Sequence, residues 1–176
     1  NSVKTFASDD FAGGSGTEAD PYIVENAEQL DMIREDTSAS YKLGADIDLS
    51  SIENWEPIPT FTGTFDGDGH AIKNLTIDRP STDYVGLFSR IGISGEVKNL
   101  TIKKAQVHGK KYVGVLAGYN LSTITNVGID NGEVTGESNY VGGLVGQNGN
   151  NTYTGVIKGS YVKGGVTGQG DYVGGL

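Results

Sequence analysis

Apolar residues recur along this chain in short β-prone runs whose spacing is neither strict alternation nor helical. In Ile72-Lys73-Asn74-Leu75-Thr76-Ile77 and Val97-Lys98-Asn99-Leu100-Thr101-Ile102, the apolar positions lie three and then two residues apart. A flat strand would give two and two. The extra residue is asparagine again in Ile124-Thr125-Asn126-Val127-Gly128-Ile129, and glycine in Ile157-Lys158-Gly159-Ser160-Tyr161-Val162. Asparagine and glycine are the types that best tolerate a left-handed backbone. Asn74, Asn99, Asn126 and Gly159 are therefore expected at one corner of successive coils.

A second phrase has the same period. Tyr84-Val85-Gly86-Leu87-Phe88, Tyr112-Val113-Gly114-Val115-Leu116, Tyr140-Val141-Gly142-Gly143-Leu144 and Tyr172-Val173-Gly174-Gly175-Leu176 place their tyrosines 28, 28 and 32 residues apart. The glycine after each valine permits a bend or bulge. A third run, Val-x-Gly, reads Val107-His108-Gly109, Val134-Thr135-Gly136 and Val166-Thr167-Gly168, with Asp78-Arg79-Pro80-Ser81 in its place in the first unit. Three short strands with bends, repeated at this period, cannot bury their apolar faces alone and must stack. The pattern predicts an all-β protein, a right-handed parallel β-helix of four to five coils, with Val85, Val113, Val141 and Val173 in one interior row.

Ahead of the repeats comes the one helical signal. Asn26 is placed to cap it, with Gln29 three residues later, and Ala27, Leu30 and Ile33 supply a narrow apolar stripe to about Glu35. Such a helix, near residues 26–36, suits an end cap that covers the first coil's core and strand edges. Tyr41-Lys42-Leu43 and Asp46-Ile47-Asp48-Leu49 read as alternating strands of the first coil. Residues 1–60 are thus the cap and first coil, and residues 61–176 the repeats, all in one structural domain. The segment 148–155 interrupts the last full interval and is expected as a loop on one face. The chain starts at Asn1 without a leader and stops inside a Tyr-Val-Gly phrase, so further repeats are expected beyond Leu176.

Composition supports turn-rich β structure, since 28 glycines among 176 residues are about twice the usual share of roughly 7%. The formal charge of −9 is concentrated early: residues 1–60 hold 13 of the 22 acidic residues and 3 of the 13 basic ones. Lys98, Lys103, Lys104, Lys110 and Lys111 form a local cluster, read as a solvated face rather than a nucleic-acid stripe. There is no cysteine, so disulfides and thiolate metal sites are excluded. No apolar run approaches membrane-spanning length.

Tyr140-Val141-Gly142-Gly143-Leu144-Val145-Gly146 resembles the GLUG-motif repeats of bacterial surface and secreted proteins, which include adhesin-like proteins and non-catalytic regions of IgA-protease-type metallopeptidases. Gly13-Gly14-Ser15-Gly16-Thr17, Asp20-Pro21-Tyr22-Ile23-Val24, Ala27-Glu28-Gln29-Leu30, Asp46-Ile47-Asp48-Leu49 and residues 61–70 resemble the lead-in to such repeats. The resemblance implies an extracellular β-helical module whose motif residues are structural: Asn74, Tyr84, Gly86, Asn99, Tyr112, Gly114, Asn126, Tyr140, Gly142, Tyr172 and Gly174. Two departures stand out. Arg90 is aligned where Gly118 and Gly146 fall later, and Gly159-Ser160 replaces Asn-Leu.

Candidate chemistry is sparse. His70 and His108 are far apart in sequence, H-E-x-x-H is absent, and both read as surface or turn residues. Asp66 and Asp68, in Asp66-Gly67-Asp68-Gly69, fit three readings: a calcium ligand pair, an acid and base on a sugar, or plain turn residues. Ile77 stands where an EF-hand needs its bidentate glutamate. Asp46 and Asp48 have the same readings. Asn74, Asn99, Asn120 and Asn150 head glycosylation-type triplets, taken as chance matches. No catalytic residue and no cofactor is expected, nor nucleic acid or membrane insertion, and the chain is expected to be monomeric. The leading expectation is a non-enzymatic stalk or adhesion module on a bacterial cell surface or in secretion, with extracellular protein or glycan ligands on its lateral face. The alternatives are a polysaccharide-active β-helix enzyme, a lyase or glycoside hydrolase, or an accessory module of a secreted metallopeptidase.

Overall fold

A computed structural model describes residue 6 and residues 9–176, so the expectation about the start at Asn1 lies outside the described residues. The lead-in contributes β1 (Tyr22–Val24) and α1 (Ala27–Met32), which runs on as a single 3-10 turn, Ile33–Glu35. Then the chain winds. The first coil carries β2 (Ser40–Leu43) and β3 (Ile47–Asp48), and the second β4 (Thr64–Asp66), β5 (Ala71–Lys73), β6 (Thr76–Arg79) and β7 (Phe88–Ile91). The third has β8 (Glu96–Gly109) and β9 (Ala117–Asn120). The fourth has β10 (Thr123–Gly136), β11 (Val141–Gly142) and β12 (Val145–Asn148), and the last β13 (Val156–Lys158), β14 (Tyr161–Gly168) and β15 (Val173–Gly174).

Every pairing between these strands is parallel, so the described chain is a β-solenoid of about four turns. Its cross-section has more sides than three. β8 and β10 are single 14-residue ladders, but each turns two corners, at Asn99 and Lys104 and at Asn126 and Asn131, all with positive φ. β7, β9 and β12 form a further wall. The Tyr-Val-Gly phrase, expected as a strand, is mostly a corner joined by single bridges, because its tyrosine has left-handed φ.

In-register stacking fills the interior with rows of like residues. Phe65, Val97, Ile124 and Ile157 line one wall, Ile47, Ile72, Ile102, Ile129 and Val162 the next, and Ile77, Val107, Val134 and Val166 a third. In the inner coils these side chains are buried, and each contributes roughly 1.5–3 kcal/mol. Val85, Val113, Val141 and Val173 form one more row, in which Val173, on the last coil, is 42% exposed. Near the cap the column is aromatic: Phe11, Tyr22, Tyr41, Phe61 and Phe88 follow one another at centroid distances of 4.6–6.2 Å.

The cap closes this column. Asn26 Oδ1 accepts from the Gln29 amide at 2.9 Å, and Gln29 Oε1 accepts from the Glu25 amide at 2.8 Å, a reciprocal cap that reaches one residue beyond the usual box. Leu30 and Ile33 are fully buried. Arg34 pairs with Asp31 at 2.6 Å, donates to the Glu56 carbonyl at 2.9 Å and lies 5.6 Å above the ring of Trp55, whose indole N–H donates to the Leu87 carbonyl. The segment after Asn148 leaves the wall as a loop before β13. No helix among the described residues is long and apolar enough to cross a membrane.

Coils approach closely at the glycine of the Tyr-Val-Gly phrase. A Cβ on Gly114 would lie 2.6 Å from both the Ala117 carbonyl oxygen and Val145 Cα, backbone that cannot swing away, whereas Gly174 has open space. Gly114→Ala is expected to lower stability by about 1–3 kcal/mol, and Gly174→Ala to change it by less than about 0.5 kcal/mol. Urea unfolding of the two variants measures the difference.

Candidate functional site

Asp66 stands at a corner and is held there by its neighbours. Its Oδ1 accepts from the Asp68 amide at 2.8 Å and from Asn99 Nδ2, one coil on, at 3.1 Å; Asn126 Nδ2 then donates to Asn99 Oδ1 at 3.4 Å. Gly159 completes the row with φ 58°, and a Cβ there would sit 2.4 Å from Asn126 Oδ1. Asp68 turns the chain at φ 49° and pairs with Lys42 at 3.5 Å. Both carboxylates therefore have structural partners. Among the described residues no three His, Cys, Asp or Glu side chains converge as metal ligands.

Asn74 does not share this corner. Ile72 pairs with Ile102 rather than with Val97, so Asn74 is aligned with Lys104 and Asn131 at the next corner and donates to Asp48 Oδ1 at 2.9 Å. The two similar phrases, at 72–77 and 97–102, thus occupy different sides of the coil. The alignment of Arg90 is corrected in the same way: Arg90 pairs with Tyr119, and Ser89 takes the place of Gly118 and Gly146. Asp46 Oδ1 accepts from the Ala71 amide at 2.9 Å, which holds its carboxyl below the ordinary value, and its other oxygen lies 3.4 Å from Lys73. Asp48 is likewise lowered, first by Asn74.

Tyr84, Tyr112, Tyr140 and Tyr172 form a continuous stack on the outside. Successive centroids are 4.6, 4.7 and 4.9 Å apart and the planes within 7° of parallel. That spacing is the distance between paired strands, so residues repeated in register bring the rings face to face. All four have φ between 56° and 65°. The left-handed backbone costs roughly 1–2 kcal/mol per residue, which stacking of about 0.5–1.5 kcal/mol per pair largely offsets. Arg90 caps the Tyr84 face at 3.8 Å, and Lys111 lies over Tyr112 and Tyr140. Within the row the ring faces cover one another, which leaves edges and hydroxyls to a ligand. Gly86, Gly114, Gly142 and Gly174 follow these tyrosines at the close approach of coils.

Two features escaped the reading of the sequence. Asn120 is fully buried: its Nδ2 donates to Asn148 Oδ1 at 2.7 Å and to the Ser122 carbonyl, and its Oδ1 accepts from the Ser122 amide. Its signal was the recurrence eight residues after Tyr112 and Tyr140, obscured by the glycosylation-type triplet; burial leaves no room for a glycan. His108 lies between two acids from neighbouring coils, with Nδ1 3.0 Å from Asp78 Oδ1 and Nε2 2.5 Å from Glu137 Oε1. These three residues are 30 and 29 positions apart, and only winding brings them together. Glu137 chiefly, and Asp78 as well, hold the imidazole above its ordinary value against some desolvation.

The geometry is that of a repeat wall, and comparison with known proteins agrees. The family profile described as "The GLUG motif" matches residues 137–167. The chain carries a GLUG motif. This GLUG-repeat chain is 44% identical over 148 residues to "Halomucin" of Haloquadratum walsbyi, covering 76% of this chain and 2% of halomucin. It is 34% identical over 188 aligned positions to a "Putative Gly-rich membrane protein" of Evansella cellulosilytica, covering 82% of this chain and 22% of that protein. It therefore spans only a small part of these relatives. Among solved structures, "a putative immunoglobulin A1 protease from Bacteroides ovatus" superposes with a TM-score of 0.69 and 25% identity, over 94% of this chain and 55% of that one.

Two predictions follow from the ladders. Asn99→Leu is expected to cost about 1–3 kcal/mol in chemical denaturation, because it leaves amide partners unpaired at a left-handed corner. For His108, an NMR titration is expected to give a pKa above 6.5 that falls in Glu137→Gln. Since the folded value is the raised one, the histidine's contribution to stability is complete below about pH 6.5 and is lost as pH rises through the folded pKa. His108→Gln should remove that part of the stability profile.

Proposed function

We propose that this GLUG-repeat chain is a non-enzymatic β-helical module of a cell-surface or secreted protein, which spaces and presents its lateral walls to extracellular protein or glycan ligands. One observation carries the reading: the carboxylates and histidines singled out as candidate chemistry pair along the solenoid axis, coil to coil. Asp46 with His70 and Lys73, and Asp78 with His108 and Glu137, are ties between neighbouring coils. Asp66 is bonded to Asn99 in the same sense. An active site instead directs such groups into a shared cleft. The names of the relatives, a halomucin and a membrane protein, support a place at or outside the cell boundary.

A second reading has its own support. The structural likeness to the protein described as an immunoglobulin A1 protease fits an accessory segment of a secreted peptidase, with the chemistry performed elsewhere in the parent chain. In both readings residues 1–176 turn nothing over.

A panel of polysaccharides incubated with the chain and scored for new reducing ends and unsaturated products tests this. No turnover is expected. Turnover that disappears in Asp66→Ala or Asp68→Ala would replace the spacing and binding reading with an enzymatic one.

A further inference from the structure

The corner aligned with Asn74 contains one residue out of keeping with its neighbours. The second and fourth coils place Asn74 and Asn131 there, at φ 61° and 56°, but the third places Lys104, at φ 57°. Asparagine adopts this conformation more readily than other L residues, and lysine has no such preference. A strained residue at an exposed site directs attention to what its side chain does. Here Lys104 and the adjacent Lys103 are both exposed, and among the described residues neither ammonium has an ion-pair or hydrogen-bond partner.

The carboxylates nearby are committed elsewhere. Asp130, aligned with Lys103, accepts from the Tyr161 hydroxyl at 3.1 Å and faces Lys163. Asp46 is held by Ala71 and His70 as well as by Lys73. Lys73 pairs with Lys103 on adjacent coils, so two ammonium stems leave the wall about 4.8 Å apart. Asp46 compensates Lys73, whereas Lys103 and Lys104 add two positive charges without a carboxylate of their own, and an anion at this corner would neutralise them.

A concave surface surrounds these groups. One recess of about 210 Å³ is lined by Lys73, Asn74, Lys103 and Lys104. It shares Asn74 and Lys104 with a second, of about 360 Å³, lined also by Thr76, Gln106, Asn131 and Glu133. The combined groove has cations at one end, amides and a hydroxyl along its length, and one carboxylate at the other end.

The geometry points to a binding groove for an acidic polysaccharide, with a uronate carboxylate held by Lys103 and Lys104 and sugar hydroxyls met by Asn74, Thr76, Gln106, Asn131 and Glu133. This rests on the lateral-face reading above and names its ligand class. A nucleic acid is disfavoured, because no aromatic ring lines the groove for a base to stack on. An extended acidic peptide is also disfavoured, since parallel pairing from coil to coil already engages the backbone groups it would need.

The test uses the whole chain with a galacturonic acid pentamer, maltopentaose as the uncharged control, and a penta-glutamate peptide. Calorimetry is expected to show binding of the uronate pentamer, weakened by added salt, with at least tenfold weaker binding of the other two. In NMR spectra the side-chain amides of Asn74, Gln106 and Asn131 should shift. Lys103→Gln combined with Lys104→Asn should weaken binding at least tenfold, while Lys104→Asn alone, which restores the neighbours' residue, should raise the unfolding midpoint. Folding loss therefore cannot imitate the result. No uronate binding, unchanged binding in the double variant, or equal binding of penta-glutamate would overturn the proposal. Glycan binding whose shifts map to another wall would overturn this groove and leave the lateral-face reading standing.

Discussion

Parallel pairing in register, coil upon coil, is the constraint on which everything else depends. Strands about 4.8 Å apart place each residue directly over its counterpart, so a side chain at a repeated position must tolerate its own copy. Aliphatic residues do so by packing, and the interior rows of valine and isoleucine are the outcome. Asparagine does so by offering a donor to one neighbour and an acceptor to the other, as Asn99 does between Asp66 and Asn126. Tyrosine does so by stacking. Charge cannot copy itself, and acid and base therefore tend to alternate along the axis, as in Asp78, His108 and Glu137.

The corners follow from the same constraint. A solenoid wall must turn sharply without losing register, and the turn is made with single left-handed residues. Ten non-glycine residues have positive φ among those described: four asparagines, four tyrosines, an aspartate and a lysine. Asp68 is held by a local bond to Asp66, Asn74, Asn99 and Asn126 by side-chain bonds to neighbouring coils, and the tyrosines by ring contacts. Corner chemistry and ladder chemistry are thus one device, in which the residue that bends the coil also ties it to the next. The cap solves a different problem. It ends the stack with a short helix, an aromatic column and an arginine bound across to Trp55 and Glu56.

A wall built this way carries function differently from a cleft. Its outward groups are spread along rows, many of them tied to neighbours and a few, such as Lys103 and Lys104, left free among the described residues, which suits repeated weak contacts along a polymer or a surface. The GLUG match, covering residues 137–167, agrees with the repetition seen throughout the coils. The chain spans only a small fraction of the length of those relatives.

The sequence alone determined the parallel β-helix, the capping helix from Asn26, the valine row and the left-handed corners, because periodicity and the backbone preferences of asparagine and glycine are local and visible in one dimension. Asp66 and Asp68 were legible as turn residues for the same reason, although other readings stood beside that one. The register was decided only in three dimensions. The phrases at 72–77 and 97–102 look equivalent, yet Phe65 takes the place beside Val97 and Ile72 falls beside Ile102, because the second coil's counterpart of 97–102 is 65–72, with a turn two residues longer after Asp66. For that reason Asn74 joined Lys104 instead of Asn99. His108 could not be recognised beforehand, because Asp78 and Glu137 reach it from other coils. What lies above a residue depends on the length of every turn in between, and no local pattern contains that sum.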